Sequence, residues 1–344
     1  MLPAPSKLKI PGFSPNCLMG AVAAVAQHQL GINGALERLY FCHTFRYTKR
    51  APTLAVEDAL PLLNASFTRE LPLSKDEFAH RLRHYYCIEL LNKEYRAFDE
   101  LLDDLAWLTS AGELPLTEID FFHMRRHPYF RAFHDQHMMV VTGVDRERRQ
   151  LAVCEAVFGD APFSLDDYRG FFDEVTHEIR RPFYLALVRR TPGNPAKLSL
   201  EQLRHDLQFS LANLHARAPD QGLLALEAFV EDMASFCTPR QRPCRIYGMW
   251  VFMCDLMNNL RFAGQLKCDY PALADQPWFK TLERSLNVLS RRWFSVTTDL
   301  DAALDRGDSQ MPPNTMSNLR MILADERQLV EQLGQLETLL RTLL

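Results

Sequence analysis

The chain has 344 residues, 47% hydrophobic and 24% charged, which is enough apolar material for two ordinary globular domains. A formal charge of −4 and a pI near 6.3 supply no general basic field, so nucleic acid is not an expected partner. No stretch reaches the ~18 apolar residues of a bilayer span, so no membrane association is expected.

Ser14-Pro15-Asn16-Cys17 opens the first element. A capping Ser, a Pro suited to the first helical turn and the unbroken run Leu18 to Ala26 predict a largely buried helix with Cys17 in its first turn. Unpaired N–H groups and the positive end of the helix dipole favour a thiolate there. Lys7 and Lys9 before this run imitate a secretory signal, but Pro11-Gly12 and Ser14-Pro15 interrupt it and no processing site follows, so a cytoplasmic location is expected.

Gly31 and Gly34 close that helix, and Leu36, Leu39, Tyr40 and Phe41 keep helical spacing up to Phe45. Residues 52 to 105 read as further helix and connection. Within them Ser74-Lys75-Asp76-Glu77 is a capping box before a helix carrying Phe78, Leu82, Tyr85 and Tyr86, and its His80 and His84 form an exposed pair without a third metal ligand. A helix from Tyr95 to Thr109 lines up Phe98, Leu101, Leu102, Leu105 and Leu108. The segment from Ile119 to His137 is rich in histidines and aromatics but lacks the Glu of a His-Glu-x-x-His site, so no metal is assigned to it.

His137-Met138-Met139-Val140-Val141-Thr142-Gly143-Val144 is the clearest strand, Asp145 to Gln150 a charged turn, and Leu151 to Val157 the partner of an antiparallel hairpin. Ser164 to Tyr168 starts another helix, and Pro182 to Val188 supplies a third strand. The linker Thr191-Pro192-Gly193-Asn194-Pro195 then separates two expected domains, residues 1–192 and 193–344. Beyond it, helical periodicity covers 199–217, 221–237, 244–264, 277–305 and 314–344. The last of these presents Ile322, Leu329, Leu333, Leu336, Leu340 and Leu343 as a stripe for packing within the domain or for a homodimer. The predicted fold class is α+β, with a small antiparallel sheet followed by an all-helical domain.

The eight cysteines lack short paired spacings, so they read as reduced thiols. Cys237, Cys244, Cys254 and Cys268 lack the close pairs of a structural zinc site. A Cys at a helix start and a His at a strand start form the layout of a nucleophile and its general base, and Glu155 on the neighbouring strand is the residue to orient His137.

The Cys17 helix, the segment His137-x-x-Val140-Val141-Thr142-Gly143-Val144-Asp145 and the following strand ending in an acid resemble the butirosin biosynthesis protein H family over roughly residues 10 to 190. The His-x-x-Val-Val-Thr-Gly-x-Asp pattern is also similar to that of bacteriocin-leader peptidases. The resemblance implies a papain-like N-terminal domain and an acyltransferase. Such an enzyme takes an acyl group from the phosphopantetheine thioester of a carrier protein onto Cys17 and passes it to an amine or hydroxyl acceptor in natural-product biosynthesis, with His137 as base. No bound cofactor or metal is implied. The family's third residue is usually Asp and falls here on Glu155, with Asp145 and Asp160 as alternatives, while Asn16 stands where the family often has His and is a candidate oxyanion donor. The family's glycine-rich segment is here Phe41 to Phe45, which suggests a differently shaped acyl or acceptor pocket. A thioesterase, a papain-like peptidase and a binding module with an inert Cys17 are the alternative functions.

Overall fold

The structure is a computed structural model that describes residues 8, 17–34, 36–49, 65–68, 74–125, 131, 136–155, 159–177, 183–234, 242–306 and 312–344. In chain order its elements are α1 (Cys17–Leu30), β1 (Arg46–Lys49), β2 (Ala65–Thr68), α2 (Lys75–Tyr86), β3 (Ile88–Tyr95), α3 (Phe98–Ser110), β4 (Leu116–Asp120), β5 (Gln136–Asp145), β6 (Gln150–Glu155), β7 (Gly159–Ser164), α4 (Leu165–His177), β8 (Phe183–Arg190), α5 (Leu200–Leu214), α6 (Gly222–Ala234), α7 (Arg242–Asp269), α8 (Pro271–Ala274), α9 (Pro277–Arg306) and α10 (Pro313–Leu343). Short 3-10 turns cover Glu37–Leu39 and Phe121–His123. The protein is thus mixed α and β. No helix among the described residues is long and apolar enough to cross a membrane.

The chain divides into two compact units, residues 1–36 with 79–196, and residues 37–78 with 197–344. The second boundary falls just past the predicted linker. The sequence reading did not anticipate that residues 37–78 join the helical unit.

The first unit is built on a six-stranded antiparallel sheet in the order β3-β8-β4-β5-β6-β7. One face carries α3 and α4: Asp104 of α3 bonds Lys93 and Tyr95 of β3, and Tyr168 of α4 shares a 2.6 Å hydrogen bond with Thr117 of β4. The other face carries α1, where Arg190 at the end of β8 donates to the Leu30 carbonyl at 3.4 Å. Because α1 is apolar all round, every residue from Met19 to Ala26 is buried. The predicted stripe of α3 is buried too, and the capping box of α2 forms as expected, Glu77 N–H donating to Ser74 Oγ at 3.2 Å and Ser74 N–H to Glu77 Oε2 at 2.8 Å. The strands β3, β4 and β7 were not foreseen. At the sheet edge, β3 leaves positions 91–94 exposed, so its apolar residues do not alternate.

The second unit is helical apart from the β1–β2 ribbon. Its distinctive feature is the segment Tyr40 to Phe45, buried throughout and extended rather than helical as the spacing had suggested. Side chains from α5 and α7 stand in for a neighbouring strand. Phe41 N–H donates to Asp206 (3.1 Å), His43 N–H to Ser210 (3.0 Å) and Phe45 N–H to Asn213 (3.2 Å). Asn259 both accepts from Cys42 N–H (3.1 Å) and donates to its carbonyl (2.7 Å), and Asn258 donates to the Tyr40 carbonyl at 3.1 Å. Buried amides need partners, and here side chains provide them. Phe41 to Phe45 is therefore core of the helical unit, which corrects the expectation that it shapes an acyl or acceptor pocket. The apolar stripe of α10 is buried against α5, α6 and α9, with Leu343 alone of the named residues exposed.

Candidate functional site

Cys17 is the first residue of α1 and is half-buried, while the eight residues from Met19 onward are sealed in the core. The helix is exposed again only in its last turn, at Gln27 and His28. The first N–H groups of a helix lack intrahelical acceptors, so they point past Cys17 at whatever binds there.

The direction of α1 follows from two anchors. Its last residue meets Arg190 at the end of β8, and at its other end Cys17 is near enough to Tyr184, close to the beginning of β8, to add to the upward push that burial and then Glu118 exert on that phenol. Lengths agree: a helix of 14 residues and the six steps from Tyr184 to Arg190 each span about 20 Å. Since β5 and β8 are both antiparallel to β4, α1, β5 and β8 all begin at one end of the sheet. Cys17 and His137, the second residue of β5, belong to that end.

Strand alternation then sorts the side chains. Glu118 pairs with Met138 and forms a 2.6 Å hydrogen bond with Tyr184, whose hydroxyl donates; these residues share the face covered by α1. Ile119 pairs with His137 and Thr117 with Met139 and Leu185, a set that belongs to the α3–α4 face. His137 is buried, and its ring stacks on Phe121 at 4.7 Å and 29°. Cys17 and the His137 imidazole thus share one end of the sheet but belong to opposite faces of it.

The remaining predicted residues fall as follows. Glu155 ends β6, whose antiparallel pairing returns it to the His137 end of the sheet, and Asp160 on β7 pairs with Cys154; both side chains, and the whole of Asn16, lie outside the described residues. Asp145 is at the far end of β5, about 27 Å from His137 at ~3.4 Å per residue. Its carboxylate accepts from Arg148 N–H at 2.9 Å within the turn. That distance excludes Asp145 as the alternative acid for His137.

Sequence reasoning missed Tyr184 and Glu118. The signal available was a polar residue at an inward position of each strand, but β4 was not recognised because Pro115 and the acids Glu118 and Asp120 obscure its short alternation. Burial, followed by the charge and hydrogen bond of Glu118, pushes the Tyr184 phenol well above its ordinary range, so it is a hydrogen-bond donor across the physiological range.

Elsewhere, His123 pairs with Glu174 of α4 at 2.5 Å, and His80 and His84 are exposed and stacked at 5.8 Å. His127 and His134 lie outside the described residues, as does Cys237. Among the described residues no group of three or more His, Cys, Asp or Glu is placed to hold a metal. Of the cysteines whose side chains are described, Cys268 is exposed, Cys17 is half-buried and Cys42, Cys87 and Cys154 are buried. Comparison of the sequence with protein-family models and with curated proteins gives no match.

Proposed function

We propose that the sheet-bearing unit is a papain-like acyltransferase domain with Cys17 as nucleophile. The observation that supports this most is the placement of Cys17: a half-buried thiol at the start of a helix whose next turns, Met19 to Ala26, are buried, at the same end of the sheet as His137. In the proposed reaction the Cys17 thiolate attacks the carbonyl carbon of a carrier-protein thioester. The new carbon–sulfur bond forms a tetrahedral oxyanion, which the first N–H groups of α1 stabilise, and collapse expels the phosphopantetheine thiolate. The acyl-Cys17 intermediate is then attacked by an amine or hydroxyl. His137 takes the proton of the incoming group, and the Cys17 thiolate leaves. Glu155 is the residue proposed to orient His137. Water in place of the acceptor makes the same apparatus a thioesterase.

The test is intact-mass detection of an acyl adduct after mixing the protein with carrier proteins loaded with a varied set of acyl groups. The expected result is an adduct on the wild type that maps to Cys17 and is lost in Cys17→Ala. Absence of any adduct across the set overturns the reading.

A further inference from the structure

The Glu118–Tyr184 pair is unexplained by the proposed acyl transfer, although it shares the α1 face and the end of the sheet with Cys17. Glu118 is half-buried, in a strand whose other residues are all buried. A carboxylate there pays part of the cost of leaving water, and such a group is normally compensated by a cation or several N–H donors. Among the described residues Glu118 takes one hydrogen bond, from the Tyr184 hydroxyl, and pairs with no cation. Nor, among the described residues, does any N–H of α1 donate to it. Asp120, on the same face by alternation, is occupied differently: its Oδ1 accepts from Phe122 N–H at 2.8 Å and holds the turn that follows β4. One oxygen of Glu118 is thus fixed by Tyr184, and the half-buried carboxylate keeps acceptor capacity on the face and at the sheet end where α1 begins.

We infer that Glu118, held in place by Tyr184, is a cation-recognising group of the Cys17 site, selecting reactants that carry an ammonium or guanidinium close to the atom that meets the sulfur. The inference rests on the reading of Cys17 as the reacting group. Tyr184 is a positioning residue: its donated hydrogen bond fixes one carboxylate oxygen and leaves the other for the cation. A charged hydrogen bond of this kind is stronger than a neutral one, and the partly desolvated setting strengthens it further.

The experiment compares two thiol reagents of similar size and opposite charge, the trimethylammonium-ethyl and sulfonato-ethyl methanethiosulfonates. In each case the Cys17 thiolate attacks the reagent's sulfenyl sulfur, a mixed disulfide forms and methanesulfinate leaves. The ratio of the two rates at Cys17 cancels any change in the thiolate fraction. Peptide mapping isolates Cys17 from exposed Cys268, which serves as the internal reference, and unreacted Cys87 and Cys154 report an intact fold. The wild type is expected to favour the cationic reagent at Cys17 over Cys268, and the preference is expected to fall about tenfold in Glu118→Gln, to fall less in Tyr184→Phe and to persist in Glu118→Asp. In the wild type, 1 M salt should also erode it. An equal charge preference in wild type and Glu118→Gln, or no preference at Cys17 in the unmutated protein, overturns the inference. Either result leaves acyl-adduct formation on Cys17 untouched, so the two readings fail separately.

Discussion

Replacing Asn259 by Ala tests how the helical unit holds its extended segment. Asn259 is fully buried on α7 and makes two hydrogen bonds to one residue, accepting from Cys42 N–H at 3.1 Å and donating to the Cys42 carbonyl at 2.7 Å. This is the pair of bonds a neighbouring β-strand would supply. The alanine variant removes both bonds from a site that is fully buried. At ~1–3 kcal/mol for each buried group deprived of its partner, the loss over the two groups sums to about 2–6 kcal/mol. Asn259→Asp keeps the acceptor but loses the donor and buries a charge, so it should be at least as damaging. Urea unfolding followed by fluorescence reads the effect through Trp293, which is fully buried in the same unit. A loss below about 1 kcal/mol in Asn259→Ala would show that the segment is held by its side chains alone, and the account of it as a strand paired to side chains would be wrong.

Other substitutions probe the same unit and the sheet. In Gly222→Ala the added Cβ would stand 2.4 Å from the carbonyl oxygens of Asn213 and Leu214, at a φ of +59°, so thermal unfolding should show a loss of more than about 2 kcal/mol. Glu326 accepts from His43 at 2.6 Å and from Trp293 at 3.3 Å in the core; Glu326→Ala should cost about 3–5 kcal/mol in urea unfolding and Glu326→Gln clearly less, because the amide retains an acceptor. Hydrogen bonds from Lys93 and then Tyr95 hold the Asp104 carboxyl below its ordinary range. A depressed folded pKa contributes stability above the ordinary carboxylate pKa and loses it as pH falls through the folded value. The deficit of Asp104→Asn, under about 1 kcal/mol for this partly exposed pair, should therefore be present at pH 7 and shrink in unfolding curves taken at successively lower pH below the ordinary carboxylate range.

Much of the architecture was legible because local and tertiary signals agree. The apolar run after Cys17, the Ser74–Glu77 capping box, the stripe of α3 and the β5–β6 hairpin each carry the periodicity of the element they form. The long C-terminal helices are equally plain, α9 and α10 each with Pro in the first turn. What was hidden depends on contacts between residues remote in sequence. Tyr40 to Phe45 has the spacing of a helix, but its amides find better partners in Asp206, Ser210, Asn213 and Asn259, and no local pattern announces that. The same holds at the candidate site. Cys17 and His137 could be named from sequence, whereas the face each occupies is set by register. The pairing Ile119 with His137 and Glu118 with Met138 decides that Glu118 and Tyr184, rather than His137, share the α1 face.

The central claim is that Cys17 is an activated nucleophile served by His137. Its most direct test is the rate of Cys17 alkylation by iodoacetamide as a function of pH, read by peptide mass mapping in the wild type and in His137→Asn. The account predicts an inflection below the value of about 8.5 for an ordinary thiol, moving upward in the variant. A wild-type profile that matches an ordinary thiol and is unchanged in His137→Asn would contradict it.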